Sequence, residues 1–189
     1  TAMVMRLRQL FRDDSLPFLN VQLPMWIAAG DEDKHDWARL RLAQARAASA
    51  LQPGGLAILL DCGEFDNIHP TDKRTPGERL CDVALRVVYG MDAPESPRAL
   101  GKYTQGDTLV VTLSAPVLRR ETGELLLEIA GEDGAYHPVQ SVTLAGTEMR
   151  LRSVAVLHPA KVRYAYVNWG KVSLFGQNGL PLAPFAFEG

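Results

Sequence analysis

The chain contains few of the features that narrow a function at once. It has two cysteines, Cys62 and Cys81, in 189 residues. That is too few for a disulfide scaffold, and a chain of this length needs no covalent staple to build a core. The pair reads as free thiols, with a Cys62–Cys81 bridge as the alternative. No charge of one sign dominates. Twenty Lys and Arg oppose 22 Asp and Glu, a formal net charge of -2, so bulk electrostatics favours neither nucleic acid nor an anionic membrane. No apolar run approaches the roughly 18 residues of a membrane span; GLAILL at 55–60 is far too short. The first residues, TAMVMRLRQLF, lack the long apolar core of a signal peptide. Internal repeats and low-complexity tracts are absent as well. What is present is ordinary globular composition, 47% hydrophobic and 22% charged with a mean hydropathy of -0.06, which excludes a disordered or collagen-like chain. The length suits one domain or two small ones.

Two periods divide the chain. PFLNVQL (17–23) is a short apolar run that predicts a buried strand. Asp33 then stands where a helix cap would, and Trp37, Leu40, Gln44, Ala47 and Leu51 recur at helical spacing until QPGG stops the helix. GLAILLD (55–61) predicts a second strand. TPGERLCDVALRVVYG predicts a helix with Thr75 as cap, Pro76 in the first turn and Glu78 completing a capping box. Its buried stripe would be Leu80, Val83, Ala84, Val87 and Val88, with Gly90 as the stop. This β-α-β-α order implies parallel pairing. Two parallel strands alone do not make a stable domain, so something is missing from the α/β part. MDAPESPRALGKYTQ (91–105) reads as the boundary. Beyond it the period is two: Leu109, Val111 and Leu113, then Met149 and Leu151, then Val162, Tyr164 and Tyr166, with turns between them as in an antiparallel sandwich.

The densest polar cluster, DCGEFDNIHPTDKRTPGE, follows the second strand. In an open parallel sheet, ligands bind just beyond the carboxyl ends of the strands, where this loop emerges. Asp66 and His69 stand at D-x-x-H spacing, which can fold a carboxylate onto the imidazole Nδ1–H. That fixes the tautomer and leaves Nε2 to take a proton from a hydroxyl nucleophile. Pro70 restricts the His69 backbone and helps aim the ring. The alternatives are a capping aspartate beside a loop histidine, or a metal site made from Asp61, Glu64, Asp66 and His69.

The stretch LDCGEFDNIHPTDKRTPGERLCDVAL resembles the final conserved block of the sialate O-acetylesterase family, within the SGNH (GDSL-like) esterases. FLNVQLPMW followed by WARLRLAQ is similar to that family's strand and its W-x-x-L-R-x-x-Q helix. The tail VRYAYVNWGKVSLFGQNGLPLAPFAF resembles the end of its accessory β-domain. The resemblance implies an α/β plus β fold. Residues 1–91 would be the terminal β-α-β-α part of a three-layer α/β/α SGNH domain, and residues 92–189 an antiparallel β-sandwich. It implies His69 as general base, Asp66 as the residue that orients it, and an acetylated glycan or sialic acid as substrate. It implies no metal or organic cofactor, no nucleic acid or membrane partner, and a secreted or periplasmic location.

The family's nucleophilic serine, in a G-Q-S-N block, has no counterpart here, and neither do its oxyanion-hole glycine and asparagine. Asp14-Ser15-Leu16 echoes part of a GDSL motif, but Ser15 follows the helix-like MRLRQLFRDD and precedes the strand instead of ending one. The expectation is therefore a C-terminal portion of a longer esterase, whose partner is the missing N-terminal part, inactive alone. A non-catalytic carbohydrate-binding or interaction module is the alternative. Trp26 could line a sugar site or pack at its lip. Trp37, Arg41 and Gln44 read as packing and structural hydrogen bonds, and Lys73 and Arg74 as a solvated loop able to meet an anionic sugar. Tyr164, Tyr166, Trp169 and Phe175 read as core rather than as a sugar platform, and His35, His137 and His158 as surface or turn residues.

Overall fold

The computed structural model describes residues 1–188. Helix α1 (Ala2–Phe11) precedes strand β1 (Phe18–Val21), α2 (Asp36–Ala50) leads to β2 (Gly54–Ala57), and α3 (Arg74–Val87) follows. β1 and β2 pair in parallel, from Phe18 opposite Gly54 to Val21 opposite Ala57. Both outer edges of this pair lack a strand partner among the described residues. Helices α2 and α3 lie against it. Beyond the strand ends, Met25, Ile58 and Leu60 are buried in the hydrophobic cluster that forms the core of the β-rich half. That shared core anchors a strand pair too small to stand alone.

Ten strands make up the β-rich half among the described residues. β3 (Ala99–Gln105), β4 (Thr108–Leu113), β9 (Glu148–Arg152) and β8 (Ser141–Ala145) form one antiparallel sheet in the order β3-β4-β9-β8. A second has the order β12-β10-β6-β7, from β6 (Leu127–Ala130), β7 (His137–Pro138), β10 (Lys161–Tyr164) and β12 (Phe185–Phe187). β5 (Val117–Arg119) pairs with β11 (Leu174–Gly176). The two four-stranded sheets supply one core: Leu109, Val111, Met149 and Leu151 from the first, Leu127, Ile129, Val162 and Tyr164 from the second. The period-two residues are thus buried as expected, except Tyr166, which is half-buried beyond the end of β10. Tyr164 and Phe175 are core aromatics. The architecture is mixed, three helices with several antiparallel sheets, and no described helix is long and apolar enough to cross a membrane.

Several local expectations are corrected. Thr75 does not cap α3. Asp72 Oδ1 accepts from the backbone N–H groups of Arg74 and Thr75, and Glu78 pairs with Arg74 at 2.7 Å instead of closing a capping box. Of the expected stripe only Val83 is fully buried, and Val88 is exposed. Asp33 caps nothing, since α2 starts at Asp36 behind a left-handed His35. The buried face of α2 is Ala38, Arg41 and Ala48, with Leu40 exposed. Part of the expected boundary, Ala99–Gln105, is β3, an edge strand whose exposed Leu100 and Tyr103 hid its period. Both cysteines are free.

Arginines tether the helices to loops. Arg41 is fully buried, and its Nη2 donates to the carbonyls of Ala165 and Val167, joining α2 to the segment after β10. Burial pushes its pKa down to about 10, against the opposing pull of Asp33. In α1, Arg8 Nε donates to the Leu16 carbonyl at 3.0 Å and Nη2 to that of Leu51 at 3.3 Å.

Two adjacent glycines let helices approach β2. A Cβ on Gly55 would lie 2.4 Å from Val83 Cγ1 and 3.0 Å from Val87 Cγ2, and one on Gly54 would lie 2.6 Å from the Leu51 carbonyl oxygen. Gly55→Ala is expected to push α3 off the strand and cost about 1–3 kcal/mol, as overpacked cores do. Urea denaturation of the two proteins measures it, and an unchanged midpoint would mean that Val83 yields freely.

Candidate active site

The loop after β2 is shaped by three carboxylates, each held by a different partner. Asp61 receives both arms of Arg79, Nη1 to Oδ1 at 2.6 Å and Nη2 to Oδ2 at 2.8 Å, and the same Nη1 donates to the Ile58 carbonyl at 2.7 Å. Burial is the largest single influence and works against the Arg79 charge, but the Asp61 hydrogen bonds together with the charges of Asp61, Cys62 and Asp72 outweigh it and raise the guanidinium pKa. Cys62, next along, has its thiol pushed up to about 12 by burial and by the Asp61 charge. It therefore stays protonated at neutral pH and is no nucleophile.

Glu64 folds the middle of the loop. Its Oε1 accepts from the Thr71 amide at 2.7 Å and from the Thr71 hydroxyl at 2.6 Å, while Oε2 accepts from Asn67 Nδ2 at 2.6 Å. Asn67 Oδ1 in turn accepts from the His69 amide at 3.0 Å. A chain of contacts thus runs from Glu64 to the His69 backbone.

Asp66 faces the segment that follows β1. Its Oδ1 accepts from the Ala29 amide at 2.7 Å, and its own amide donates to the Ile27 carbonyl at 3.1 Å. The residue has a left-handed backbone, φ 58°, which aspartate tolerates better than most residues. A Cβ on Gly63 would fall 1.9 Å from the Met25 carbonyl oxygen, so only glycine lets the two segments touch there. On the side of the β-rich half, Phe65 meets Trp169 edge to face, with centroids 5.7 Å apart. A cleft of about 240 Å³ opens between Met25, Gly63, Thr122, Trp169 and Lys171, and it includes neither Asp66 nor His69.

Asp66 and His69 therefore share one exposed loop at the carboxyl end of the parallel strands, but no hydrogen bond joins them. Asp66 Oδ2 and both His69 ring nitrogens have no hydrogen-bond partner among the described residues. The metal alternative is corrected. Asp61 is bound to Arg79, Glu64 to Thr71 and Asn67, and Asp66 to Ala29, and no three His, Cys, Asp or Glu converge among the described residues. Ser15 Oγ donates to Asp13 at 2.6 Å in the turn before β1, at the opposite end of the strands from His69. Arg74 is paired with Glu78. The sequence offered Asp61 and Glu64 only as metal ligands; the Asp61–Arg79 pair and the approach of Gly63 to Met25 escape it because their partners lie 18 or more residues away, and the Glu64 cage because it depends on the fold of the loop.

No family model matches the chain, and no curated protein does either. Among solved structures it is similar to a carbohydrate acetylesterase from Xanthomonas citri, with a TM-score of 0.89 and 32% identity. The match covers 98% of this chain and 44% of that one, so the chain spans less than half the length of the structure it resembles.

Hydrogen bonds from the Thr71 hydroxyl and amide, and then from Asn67, hold the Glu64 carboxyl below its ordinary value of 4.5. A carboxyl lowered in the folded state contributes stability that is complete above the unfolded value and lost as pH falls through the folded one. The Thr71 amide resonance is expected to titrate with a midpoint below the ordinary carboxylate value of 4.5. Glu64→Ala should displace it at every pH. A titration midpoint above the ordinary carboxylate value would contradict the hydrogen-bond cage.

Proposed function

We propose that this chain is the base-bearing part of a carbohydrate O-acetylesterase of the SGNH type. The observation that carries this reading is the likeness to a carbohydrate acetylesterase, at 32% identity along 98% of the chain. The placement of the D-x-x-H loop beyond the ends of two parallel strands supports it, since open α/β sheets bind ligands there. In this reading residues 1–91 are the C-terminal part of the hydrolase domain and residues 92–189 an accessory β-sandwich. The substrate is a sugar bearing an O-acetyl ester.

His69 acts as general base. Its Nε2 takes the proton from a serine hydroxyl as that oxygen attacks the acetyl carbonyl. It then returns the proton to the departing sugar oxygen, which leaves an acetyl-enzyme. Water deprotonated by the same nitrogen hydrolyses the acetyl-serine and releases acetate. Asp66 Oδ1 is held by Ala29, and the free Oδ2 receives the Nδ1–H of His69 once the ring turns towards it. Such contacts often tighten only when substrate is bound. The serine and the oxyanion donors come from a part of the protein outside this sequence.

The test replaces the matching portion of the Xanthomonas enzyme with this chain and follows 4-nitrophenyl acetate hydrolysis. The isolated chain should give no turnover above the buffer rate. The chimera should hydrolyse the ester, and His69→Ala in it should lower kcat by roughly 10⁴- to 10⁶-fold, as removal of a triad base does. Turnover by the isolated chain that His69→Ala abolishes would place the nucleophile within these 189 residues. A chimera indifferent to His69→Ala would remove the base assignment.

A further inference from the structure

Two of the three tryptophans, packed against each other, line a polar cleft that the proposed chemistry does not use. Trp26 lies on the segment after β1 and Trp37 in the first turn of α2, with ring centroids 5.2 Å apart and planes inclined at 54°. Backbone clamps fix both. The Trp26 amide donates to the Asn168 carbonyl at 2.8 Å, and the Trp37 amide to Asn168 Oδ1 at 2.9 Å. Trp37 Nε1 donates to the Pro24 carbonyl at 2.6 Å. Asn168 is itself held through its amide by Asp33 Oδ2 at 2.7 Å. Neither indole is fully buried, so a rigid frame holds both partly open.

The cleft has a volume of about 420 Å³ and is lined by both tryptophans together with Asp31, Glu32, Lys34 and Asp36. That volume falls within the roughly 300–1,000 Å³ of small-molecule sites. Asp36 pairs with Arg39, whereas the side chains of Asp31, Glu32 and Lys34 have no hydrogen-bond partner among the described residues. The Trp26 Nε1–H is buried and has no hydrogen-bond partner among the described residues. Indole faces beside free hydrogen-bonding groups match a pyranose ring, whose C–H face is apolar and whose edge carries hydroxyls. With Asp36 paired to Arg39, Asp31 and Glu32 outweigh Lys34 by one negative charge, which repels a carboxylated sugar such as sialate.

The cleft is linked to the loop of the proposed base through one residue. Ile27 lines it, and the Ile27 carbonyl and Ala29 amide are the two groups that bind Asp66. We propose that the Trp26–Trp37 cleft is a subsite for a neutral pyranose residue of the glycan, next to the loop carrying Asp66 and His69. This rests on the esterase reading only in taking the glycan as substrate; binding in the cleft needs neither Asp66 nor His69.

The three indole N–H resonances, assigned by single Trp→Phe variants, report the outcome. The isolated chain is titrated with cellotetraose, with xylotetraose and with the anionic 3′-sialyllactose. The Trp26 and Trp37 signals should move saturably with at least one neutral sugar, the Trp169 signal should stay, and sialyllactose should bind at least tenfold more weakly. His69→Ala should titrate like the parent, which separates this site from the catalytic assignment. Asp31→Asn with Glu32→Gln, substitutions on exposed side chains, should narrow the gap between neutral and sialylated sugars. No saturable shift with either neutral sugar, a response confined to Trp169, or tighter binding of sialyllactose overturns the proposal.

Discussion

A buried guanidinium joins the two halves of this molecule. Arg41 has no exposed surface, and it spends its charge on two backbone carbonyls of the segment after β10. Carbonyls in irregular segments need donors when water is excluded, and a two-stranded sheet has few to offer. Helix arginines supply them here: Arg8 from α1, Arg41 from α2, and Arg79 and Arg86 from α3, each reaching a loop carbonyl. The fully buried positions of the helices are few: Val4 and Arg8 in α1, Ala38, Arg41 and Ala48 in α2, and Val83 in α3. The helices are moored through polar groups at their flanks as much as through packing. Of the four arginines, only Arg41 crosses to the β-rich half; Arg8 and Arg79 reach carbonyls of the α/β part, and Arg86 the segment after α3.

The same economy shapes the loop that carries His69. Asp61, Glu64 and Asp66 are close in sequence and look interchangeable, yet each holds a different wall. Asp61 fastens the loop to α3, Glu64 closes it on itself, and Asp66 fastens it to the segment beyond β1. Gly63 allows the close approach that brings these walls together. The proposed base thus sits on a loop whose conformation is determined from three directions, although the imidazole itself is free.

The β-α-β-α order of the first elements and the period-two core were legible because each follows from a repeating pattern, and the polar loop because it stands between two such patterns. Leu109, Val111, Met149 and Leu151 signal burial by alternation alone. Helix starts were less legible: Asp72 and Thr75 are both acceptable caps, and only the turn geometry decides between them. The α2 face was misread because a fully buried arginine breaks the rule that charge faces water, while Leu40 beside it is exposed. Asn168 is silent in sequence, since it acts on Trp26 and Trp37 from more than 130 residues away. The D-x-x-H pair was visible as spacing, but that spacing carries no information on whether the two side chains meet.

Asp66 carries two demands that are normally separate. Its left-handed backbone excludes branched and bulky residues, and its Oδ1 must accept the Ala29 amide. Asparagine meets both, because its carbonyl oxygen accepts a hydrogen bond and it tolerates this region of backbone space. Glutamate would keep the charge but strain the turn, and glycine would relax the turn but lose the acceptor. The position is therefore a natural point at which architecture can be held constant while a single negative charge is switched off.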